Sequence, residues 1–360
     1  MVRSMRQVGA FRGFLVGLGL LLSSLPCTAA PIRGIWLSAA EGEAGASDTI
    51  RSVANAGIDT IFLLVFSDGQ TAYPSRVFPQ REELSGSDPV AAFLGLAKER
   101  GIKVFAALDV LYWQRPGAQS PVVTSHPERI ERNAEGEIVG DEGARGGAFA
   151  SPASPQVTSL LQQLVAELGS RYSFDGIAFD YARLSRGEYL GFSKVARKAF
   201  FSAQGVDPAD IDSLGFATDL EVRQRFATWL EGQVNSIVEQ LSSAFKRVKP
   251  EGKVAAVALA GYYEDRLNKP ARQDWMTWGQ KGWVDILIAQ DLILSDPEHA
   301  KAQLARLNRL DKVTILTIVS QMPAGPVVAQ ADSLELAGTV LWPGDSRPRR
   351  RAMLREFVAW

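Results

Sequence analysis

The chain contains few residues of the types that build metal centres or disulfides. Its 360 residues include one cysteine, Cys27, and two histidines, His126 and His299. A structural zinc site usually takes four cysteine or histidine ligands, so we expect no metal site and no cofactor. Cys27 lies in the N-terminal segment described next, so the rest of the chain can form no disulfide. A packed core must therefore stabilise it.

Long apolar runs are also absent beyond the N-terminus. Three arginines precede an apolar run at residues 14–25, and small residues follow at Cys27 and Ala29. This order is typical of a secretory signal peptide, and we expect cleavage after Ala29. The residues before Cys27 match a lipobox poorly, which disfavours lipidation. No second apolar stretch of about 18 residues follows, so the sequence predicts no transmembrane segment and a periplasmic or secreted protein.

The chain also lacks a strong charge and the common phosphate and serine motifs. Its formal net charge is -1, and loss of the first 29 residues, with three arginines and no acid, lowers this to -4. Such a balance favours neither nucleic acid nor an anionic membrane as a partner. We expect the local basic run at Arg347–Arg351 to be the solvated start of the last helix. No glycine-rich loop follows the first predicted strand, and Ser85 lacks the preceding glycine of a nucleophile elbow.

Apolar runs of strand length alternate with longer segments of helical period along the rest of the chain. This is the pattern of repeated βα units, and eight strands is the number that a (β/α)8 TIM barrel needs. We therefore predict an α/β protein with one TIM-barrel domain over residues 30–360. The predicted strands are Ile32–Ser38, Thr60–Phe66, Lys103–Asp109, Phe174–Tyr181, Val254–Ala260, Val284–Asp291, Val313–Val319 and Gly338–Trp342. The predicted helices are Thr49–Ala56, Val90–Arg100, Pro155–Tyr172, Leu220–Val248, Arg272–Lys281, Pro297–Leu307, Val327–Leu336 and Arg349–Val358.

Two predicted connections are much longer than is usual in a compact domain. They are Val110–Pro152, after the third strand, and Leu184–Asp219, after the fourth. Long ordered loops are usually functional. Both leave the C-terminal ends of strands, so we expect them to form one wall of a cleft.

Residues 174–181, Phe-Asp-Gly-Ile-Ala-Phe-Asp-Tyr, have the pattern of a short buried strand that ends at a carboxylate. Strand side chains alternate between faces, so Gly176, Ala178 and Asp180 share the inward face, while Ile177 and Phe179 face outward. The last inward carboxylate then lies at the C-terminal mouth, where TIM barrels keep their active sites. The structural alternative is that it caps the next helix or forms an ion pair with Arg183.

Carboxylates and aromatic side chains cluster at the same predicted strand ends. Glycoside hydrolysis uses two carboxyl groups, one ionised and one protonated, and neighbouring like charges raise one of the two pKa values. Sugar rings stack their apolar faces on aromatic side chains. Asp175 and Asp285 lie at the opposite strand ends, and we expect structural roles for them. The acids at the mouth are Asp109, Asp180, Glu264 and Asp291, and the aromatic residues are Trp36, Tyr112, Trp113, Tyr181, Tyr262, Tyr263 and Trp342.

Six segments carry recognisable motifs: Arg33–Leu37, Lys98–Val104, His126–Glu128, Ser151–Val157, Phe174–Arg183 and Trp278–Asp285. In this order they resemble the successive motifs of the glycosyl-hydrolase-like 10 family. The resemblance covers nearly the whole chain after the signal peptide and implies an exported TIM-barrel protein. The family includes a bacterial glycosidase that cuts peptidoglycan glycan strands lacking stem peptides, so the resemblance implies a cell-envelope polysaccharide as substrate.

The resemblance also suggests roles for individual residues. Asp180 and Arg183 match the family motif position for position. By analogy with other barrels, we expect Asp180 to be the nucleophile or the ion that stabilises the transition state, with Arg183 orienting it. Asp291 is the preferred general acid, with Glu264 second. The expected substrate contacts are Trp36, Asp109, Tyr112, Trp113, Tyr181, Tyr262, Gln290 and Trp342.

Two departures from the family pattern leave alternatives open. Leu184-Ser185 stands where the family usually has Tyr-Pro, and the aromatic pair that usually follows Gln290 is absent. One alternative is a catalytically silent glycan-binding barrel, and another is a hydrolase of an exported amino-sugar polysaccharide. A polysaccharide is the expected partner in each case. The enzyme hypothesis requires a second carboxyl group within about 5 to 9.5 Å of Asp180 that faces the same cleft.

Overall fold

Eight parallel strands close into a barrel in the computed structural model of the chain. The structure describes residues 30–39, 42–213, 216–261, 270–290, 292, 297–320, 323–334, 336–344 and 346–358. The barrel strands are β1 (Ile32–Ser38), β2 (Thr60–Ser67), β4 (Lys103–Asp109), β7 (Gly176–Asp180), β8 (Lys253–Leu259), β9 (Ile286–Gln290), β10 (Thr314–Val319) and β11 (Gly338–Leu341). Three short strands, β3 (Gln70–Thr71), β5 (Tyr112–Gln114) and β6 (Ala148–Phe149), lie in the connections.

The ring is closed by the pairing of the first strand with both the second and the last. The strand order is β1-β11-β10-β9-β8-β7-β4-β2, and β2 pairs with β1 again. All of these pairings are parallel, which is the arrangement of a TIM barrel. The fold prediction is confirmed, and the ends of the eight predicted strands differ from the observed ones by no more than two residues.

Helices follow the strands along the chain and cover the outside of the barrel. They are α1 (Gly42–Asn55), α2 (Pro89–Lys98), α3 (Pro121–Ser125), α4 (Pro155–Arg171), α5 (Lys194–Gln204), α6 (Phe216–Val248), α7 (Trp275–Gln280), α8 (Pro297–Leu307), α9 (Ala324–Ser333) and α10 (Arg347–Val358). Side-chain caps fix several of their starts. The hydroxyl of Ser154 accepts from the Val157 amide at the start of α4, and the Asp88 carboxylate accepts from the Ala91 amide in α2.

Strand β7 shows why small residues face the barrel axis. A Cβ atom on Gly176 would lie 2.3 Å from Cε1 of Phe105, so the ring of the neighbouring strand occupies that space. Ala178 belongs to the cluster that fills the interior, whereas Ile177 and Phe179 belong to the larger cluster outside the barrel. The predicted alternation of this strand is confirmed, and it directs Asp180 towards the mouth.

The two long connections pack on each other. The first contains the β5–β6 hairpin, and its buried Glu131 accepts hydrogen bonds from Ser151 in the same loop and from the Ser193 amide at the start of α5. Asp141 of the first connection binds Arg186 of the second. Through these contacts, each of the two long connections stabilises the other.

Residues Pro31–Trp360 form one compact unit. Within the part of the chain that the structure describes, none of the helices is both long enough and apolar enough to cross a membrane.

Candidate active site

A cavity of about 430 Å³ lies at the C-terminal mouth of the barrel. It is lined by residues at the ends of β1, β2, β4, β7 and β11 and by the start of α10. Sites of this volume accommodate small ligands such as a sugar unit. Its charged lining residues are Asp68, Arg81, Asp109, Arg115, Asp180, Arg347 and Arg350, and its aromatic ones are Trp36, Tyr181 and Trp342.

Asp109 and Asp180 form a carboxyl pair on neighbouring strands. They are register partners across the β4–β7 ladder, so their backbones are about 4.8 Å apart. Asp109 is fully buried, and Asp180 is 3% exposed. Burial raises the pKa of Asp109 to about 7; Arg115 opposes this shift and the charge of Asp180 adds to it. Burial also raises the pKa of Asp180, against the charge of Arg183. Two like charges this close are costly, so near neutral pH the pair shares a proton.

The proton is better placed on Asp109 than on Asp180. Oδ1 of Asp180 accepts the Tyr181 amide hydrogen at 2.7 Å, and this bond favours the ionised carboxylate. Oδ1 of Asp109 is buried and has no hydrogen-bond partner among the residues that the structure describes, whereas its Oδ2 accepts from Arg115 at 2.5 Å. The arrangement therefore presents the charge of Asp180 to the cavity and keeps Asp109 behind it.

Arg115 connects this pair to a third acid, Asp68. Nη1 of Arg115 is 3.2 Å from Oδ2 of Asp68, and the Arg115 amide donates to Oδ1 of the same carboxylate at 2.8 Å. Arg81 binds Asp68 from another side at 3.1 Å. The two oxygens of Asp68 are thus engaged, which makes it a support for Arg115 rather than a free acid.

Two residues that line the cavity have left-handed backbone conformations. Tyr181 has φ 47° and Asp68 has φ 53°. Such a conformation costs a residue with a side chain roughly 1–3 kcal/mol and is common at functional sites. The backbone amide of Tyr181 donates a hydrogen bond to Asp180, so the strained residue contacts the carboxylate directly.

Arg183 does not have the contact that the sequence suggested. Its guanidinium donates two hydrogen bonds to Asp141, at 3.0 and 2.9 Å, and one to the Leu184 carbonyl. It lies 4.5 Å from the centroid of the Tyr181 ring. Arg183 therefore influences Asp180 through its charge and through its contact with Tyr181, whose amide donates the hydrogen bond to Asp180.

The predicted aromatic contacts divide into two groups. Trp36 and Trp342 stack with centroids 5.4 Å apart and line the cavity, together with Tyr181. Trp113 is fully buried, and its indole donates to the Val110 carbonyl. Tyr112 is buried against Phe149 and Tyr181. The expectation that Tyr112 and Trp113 contact a substrate is corrected, because the chain turns back after β4 and packs both rings into the core.

Several other predicted residues are not part of the cavity as described. Gln290 ends β9 beside Leu259 and is absent from the residues that line it. The predicted acids Asp291 and Glu264 and the predicted contact Tyr262, with Tyr263, lie outside the described residues. The expected cleft wall is also corrected in part. Arg115 of the first long connection lines the cavity, but none of the described lining residues belongs to Leu184–Asp219.

The sequence pattern did not indicate Asp68, Arg81 or Arg115 as residues of the site. Asp68 follows β2 directly in Ser67-Asp68-Gly69, so the rule that strand ends carry the chemistry could have found it. Arg115 and Arg81 lie in connections whose paths the sequence pattern does not give. In the described part of the chain, no group of three or more histidine, cysteine or acidic side chains is arranged to hold a metal ion.

The chain is similar in sequence to a described protein family. The model of a family described as Glycosyl hydrolase-like 10 matches residues 31–321. Proteins named glycosyl hydrolase DigH, from Escherichia coli K12 and from Shigella flexneri, are each 24% identical over 288 residues, which cover 68% of this chain and 58% of theirs. The chain thus spans little more than half the length of these relatives.

Solved structures share the fold. The PgaB (BpsB) glycoside hydrolase domain from Bordetella bronchiseptica has a TM-score of 0.63 at 16% identity, covering 90% of this chain and 99% of that domain. Alpha-L-fucosidase isoenzyme 2 from Paenibacillus thiaminolyticus has a TM-score of 0.62 at 14% identity, covering 91% of this chain and 49% of that protein. At these identities the likeness establishes the barrel alone.

Proposed function

The chain belongs to the glycosyl hydrolase-like 10 family, and from that premise we propose that it is a glycosidase that hydrolyses a bacterial cell-envelope polysaccharide. Peptidoglycan glycan strands are the preferred substrate, because the family resemblance implies them. The N-terminal signal-peptide pattern supports a site of action outside the cytoplasm, in the periplasm or beyond it.

The observation that carries this proposal is the carboxyl pair beneath a stacked aromatic wall. Asp180 lines a cavity that the stacked rings of Trp36 and Trp342 also line. Aromatic rings hold the apolar face of a sugar, and a carboxylate beside the anomeric carbon stabilises the positive charge that develops there. The proton shared with Asp109 limits the pair to one negative charge, which the neighbouring Arg115 and Arg183 counter.

In the proposed reaction the Asp180 carboxylate attacks the anomeric carbon or stabilises it as an oxocarbenium-like centre. A second carboxylic acid donates a proton to the leaving oxygen, and water completes the hydrolysis. We keep Asp291 as the preferred acid and Glu264 as the second choice. Asp109 is a positioning residue in this proposal, because its fully buried carboxyl group lies in the cavity wall next to Asp180 and its Oδ2 is held by Arg115.

One observation favours the alternative of a glycan-binding barrel. Among the described acids, Asp109 is fully buried and Asp68 is held by two arginines, so neither is free to donate a proton to a sugar oxygen. A barrel without an effective acid would still hold a glycan on Trp36 and Trp342. The aromatic wall is therefore common to both functions, and only turnover separates them.

The test is to incubate the purified protein with two polymers and to analyse the soluble products by mass spectrometry. The polymers are peptidoglycan strands without stem peptides and an exported-type polymer of partly deacetylated N-acetylglucosamine. We expect fragments with reducing ends from the strands. Fragments from the amino-sugar polymer alone would replace the proposed substrate. Strands that are pulled down by the protein but never cut would make it a binding module, and anhydro ends would indicate a lyase.

A further inference from the structure

Among the described acids that line the cavity, Asp68 is the one to which the proposed reaction assigns no role. Asp68 and Gly69 form the two-residue loop that joins β2 to β3, since Ser67 pairs with Gln70. Both loop residues have positive φ, 53° and 67°, which is the pattern of a type I′ turn and favours Asp-Gly or Asn-Gly. The hairpin therefore fixes the backbone of Asp68 at the mouth of the barrel.

Two arginines hold the Asp68 carboxylate in place. Its Oδ2 accepts from Nη2 of Arg81 at 3.1 Å and from Nη1 of Arg115 at 3.2 Å, and its Oδ1 accepts from the Arg115 amide at 2.8 Å. Only 9% of the Asp68 side chain is exposed. Charge-assisted hydrogen bonds are strong and directional, so a carboxylate that is held in this way also fixes the guanidinium of Arg115.

Arg115 connects Asp68 to the carboxyl pair. Its Nη2 donates to Oδ2 of Asp109 at 2.5 Å. Its guanidinium carbon also lies 5.7 Å from the centroid of the Tyr181 ring, and Tyr181 is the residue next to Asp180. One guanidinium therefore binds Asp68 through one nitrogen and Asp109 through another, so a change in the charge of Asp68 alters the contact that Asp109 receives.

The charges of this network balance when the carboxyl pair holds one proton. Arg81 and Arg115 then match the charges of Asp68 and Asp180, while Asp109 is neutral. Loss of the shared proton would add a negative charge beside Asp180 without adding a cation. The ion pairs of Asp68 therefore contribute to how firmly the pair holds its proton.

The other charged groups near the pair do not belong to this network. Arg183 acts on the pair through its charge, but its guanidinium is bound by Asp141 at 2.9 Å. Arg347 and Arg350, at the start of α10, are the other charged groups of the described cavity lining. Variants of the network leave these groups in place, so their effects can be assigned to the network itself.

We propose that Asp68 is a positioning residue that acts through Arg115 and sets the pH range in which the Asp109–Asp180 pair carries a single negative charge. This inference rests on the proposed function, because that reaction uses the pair with one charge, on Asp180. Burial is the main cause of the raised pKa of Asp109; the charge of Arg115 lowers this pKa, and the charge of Asp68 raises it. Asp68 therefore extends the range of the singly charged pair towards higher pH.

Two variants of the network should have effects of opposite sign. Asp68→Asn keeps a favoured Asn-Gly turn and an oxygen for the Arg115 amide but removes the charge. Asp109 loses its proton near pH 7 in the wild type, and in this variant it should do so about one pH unit lower. Arg81→Gln removes a cation that binds Asp68, so the negative charge beside the pair increases and the proton should be lost at a higher pH than in the wild type.

The test is a pH titration of the Asp109 carboxyl carbon by ¹³C NMR, on protein labelled in aspartate, with the signal assigned by its loss in Asp109→Asn. The matched control is Asp207→Asn, which removes an aspartate that binds Arg197 through two hydrogen bonds and that does not line the cavity. We expect the midpoint to fall in Asp68→Asn, to rise in Arg81→Gln and to stay unchanged in the control.

Unchanged midpoints in both network variants, shifts of the same sign in both, or a shift in the control equal to that in Asp68→Asn would overturn the inference. A general loss of stability would not move the two midpoints in opposite directions. If Asp68→Asn does not fold, the titration of Arg81→Gln decides by itself, because an unchanged or lowered midpoint there contradicts the proposal.

The two proposals can fail separately. Shifted midpoints in a protein that never releases fragments would refute the glycosidase and keep the role of Asp68 in the pair. Fragment release with unchanged midpoints would refute the role of Asp68 and keep the glycosidase. Where both hold, the pH profile of fragment release should move in the same direction as the midpoint in each variant.

Discussion

The two ends of the barrel hold pairs of aspartates in different environments. At the N-terminal end, Asp175 accepts the Val104 amide at 2.8 Å, and Asp285 accepts the Val254 amide at 2.9 Å and binds Lys246 at 3.0 Å. Burial would raise the pKa of Asp285, but the backbone hydrogen bond and the two lysines, Lys246 and Lys253, outweigh it and lower that pKa. At the C-terminal end, burial raises the pKa of both Asp109 and Asp180.

The difference separates a structural acid from a functional one. The N-terminal aspartates accept backbone hydrogen bonds from the neighbouring strands, and two lysines favour the charged form of Asp285. The C-terminal pair has a strained neighbour, Tyr181, and one oxygen of Asp109 has no partner in the described part of the chain, so this end of the barrel is less stable than full hydrogen bonding would make it. Perturbed groups of this kind mark functional sites. The comparison predicts that changes at one end alter stability and changes at the other alter activity.

The largest stability effect should come from Trp113, which was expected to contact the substrate but is buried in the core. Trp113→Ala is expected to lower the free energy of unfolding by about 3–5 kcal/mol, because the ring is fully buried. Trp342→Ala should lower it much less and should instead weaken glycan binding. Urea denaturation of both variants, with affinity for the glycan, measures this. Equal stability losses would contradict the division between cavity and core.

An intermediate effect is expected at the N-terminal end of the barrel. Asp285→Asn removes the partner of two lysines and weakens the bond from the Val254 amide, so it should lower the free energy of unfolding by about 1–3 kcal/mol. The rate of fragment release should stay unchanged once the protein is folded. Loss of activity with unaltered stability would show that this end is not structural.

A graded effect on stability is expected from pH. The folded protein holds the Asp109 proton up to about pH 7, whereas an aspartate in the unfolded chain loses it near pH 3.9, so rising pH between these values destabilises the fold. The slope is at most about 1.4 kcal/mol per pH unit. Asp109→Asn should lack this contribution, so its stability relative to wild type should rise from pH 4 to pH 7 and then stay constant. Parallel stability curves for the two proteins would refute the raised pKa.

The barrel could be predicted because its signal is local and periodic. The recurring apolar runs predicted the eight strands, and the alternation of side chains predicted that Gly176, Ala178 and Asp180 share the inward face of β7. The cavity wall could not be predicted, because ion pairs between distant positions set the loop paths. Arg183 binds Asp141, 42 residues earlier, and Arg115 binds Asp68, 47 residues earlier.

The same limit explains the aromatic residues. Trp36 and Trp113 both lie near the C-terminal end of a strand, and composition does not distinguish them. Trp36 is the inward neighbour of Phe62 and reaches the cavity, whereas Trp113 follows the turn into β5 and packs against Phe78. Only the direction of the connecting turn decides between a substrate wall and a core residue.

The central claim is that the Asp180 carboxylate performs the chemistry at the mouth of the barrel. The most direct test is mass spectrometry of fragments released from peptidoglycan strands without stem peptides by the wild-type protein and by Asp180→Asn at equal concentration. We predict that the wild type releases fragments and that the variant, still folded and still able to bind the strands, releases none. Equal release by both proteins would contradict the claim.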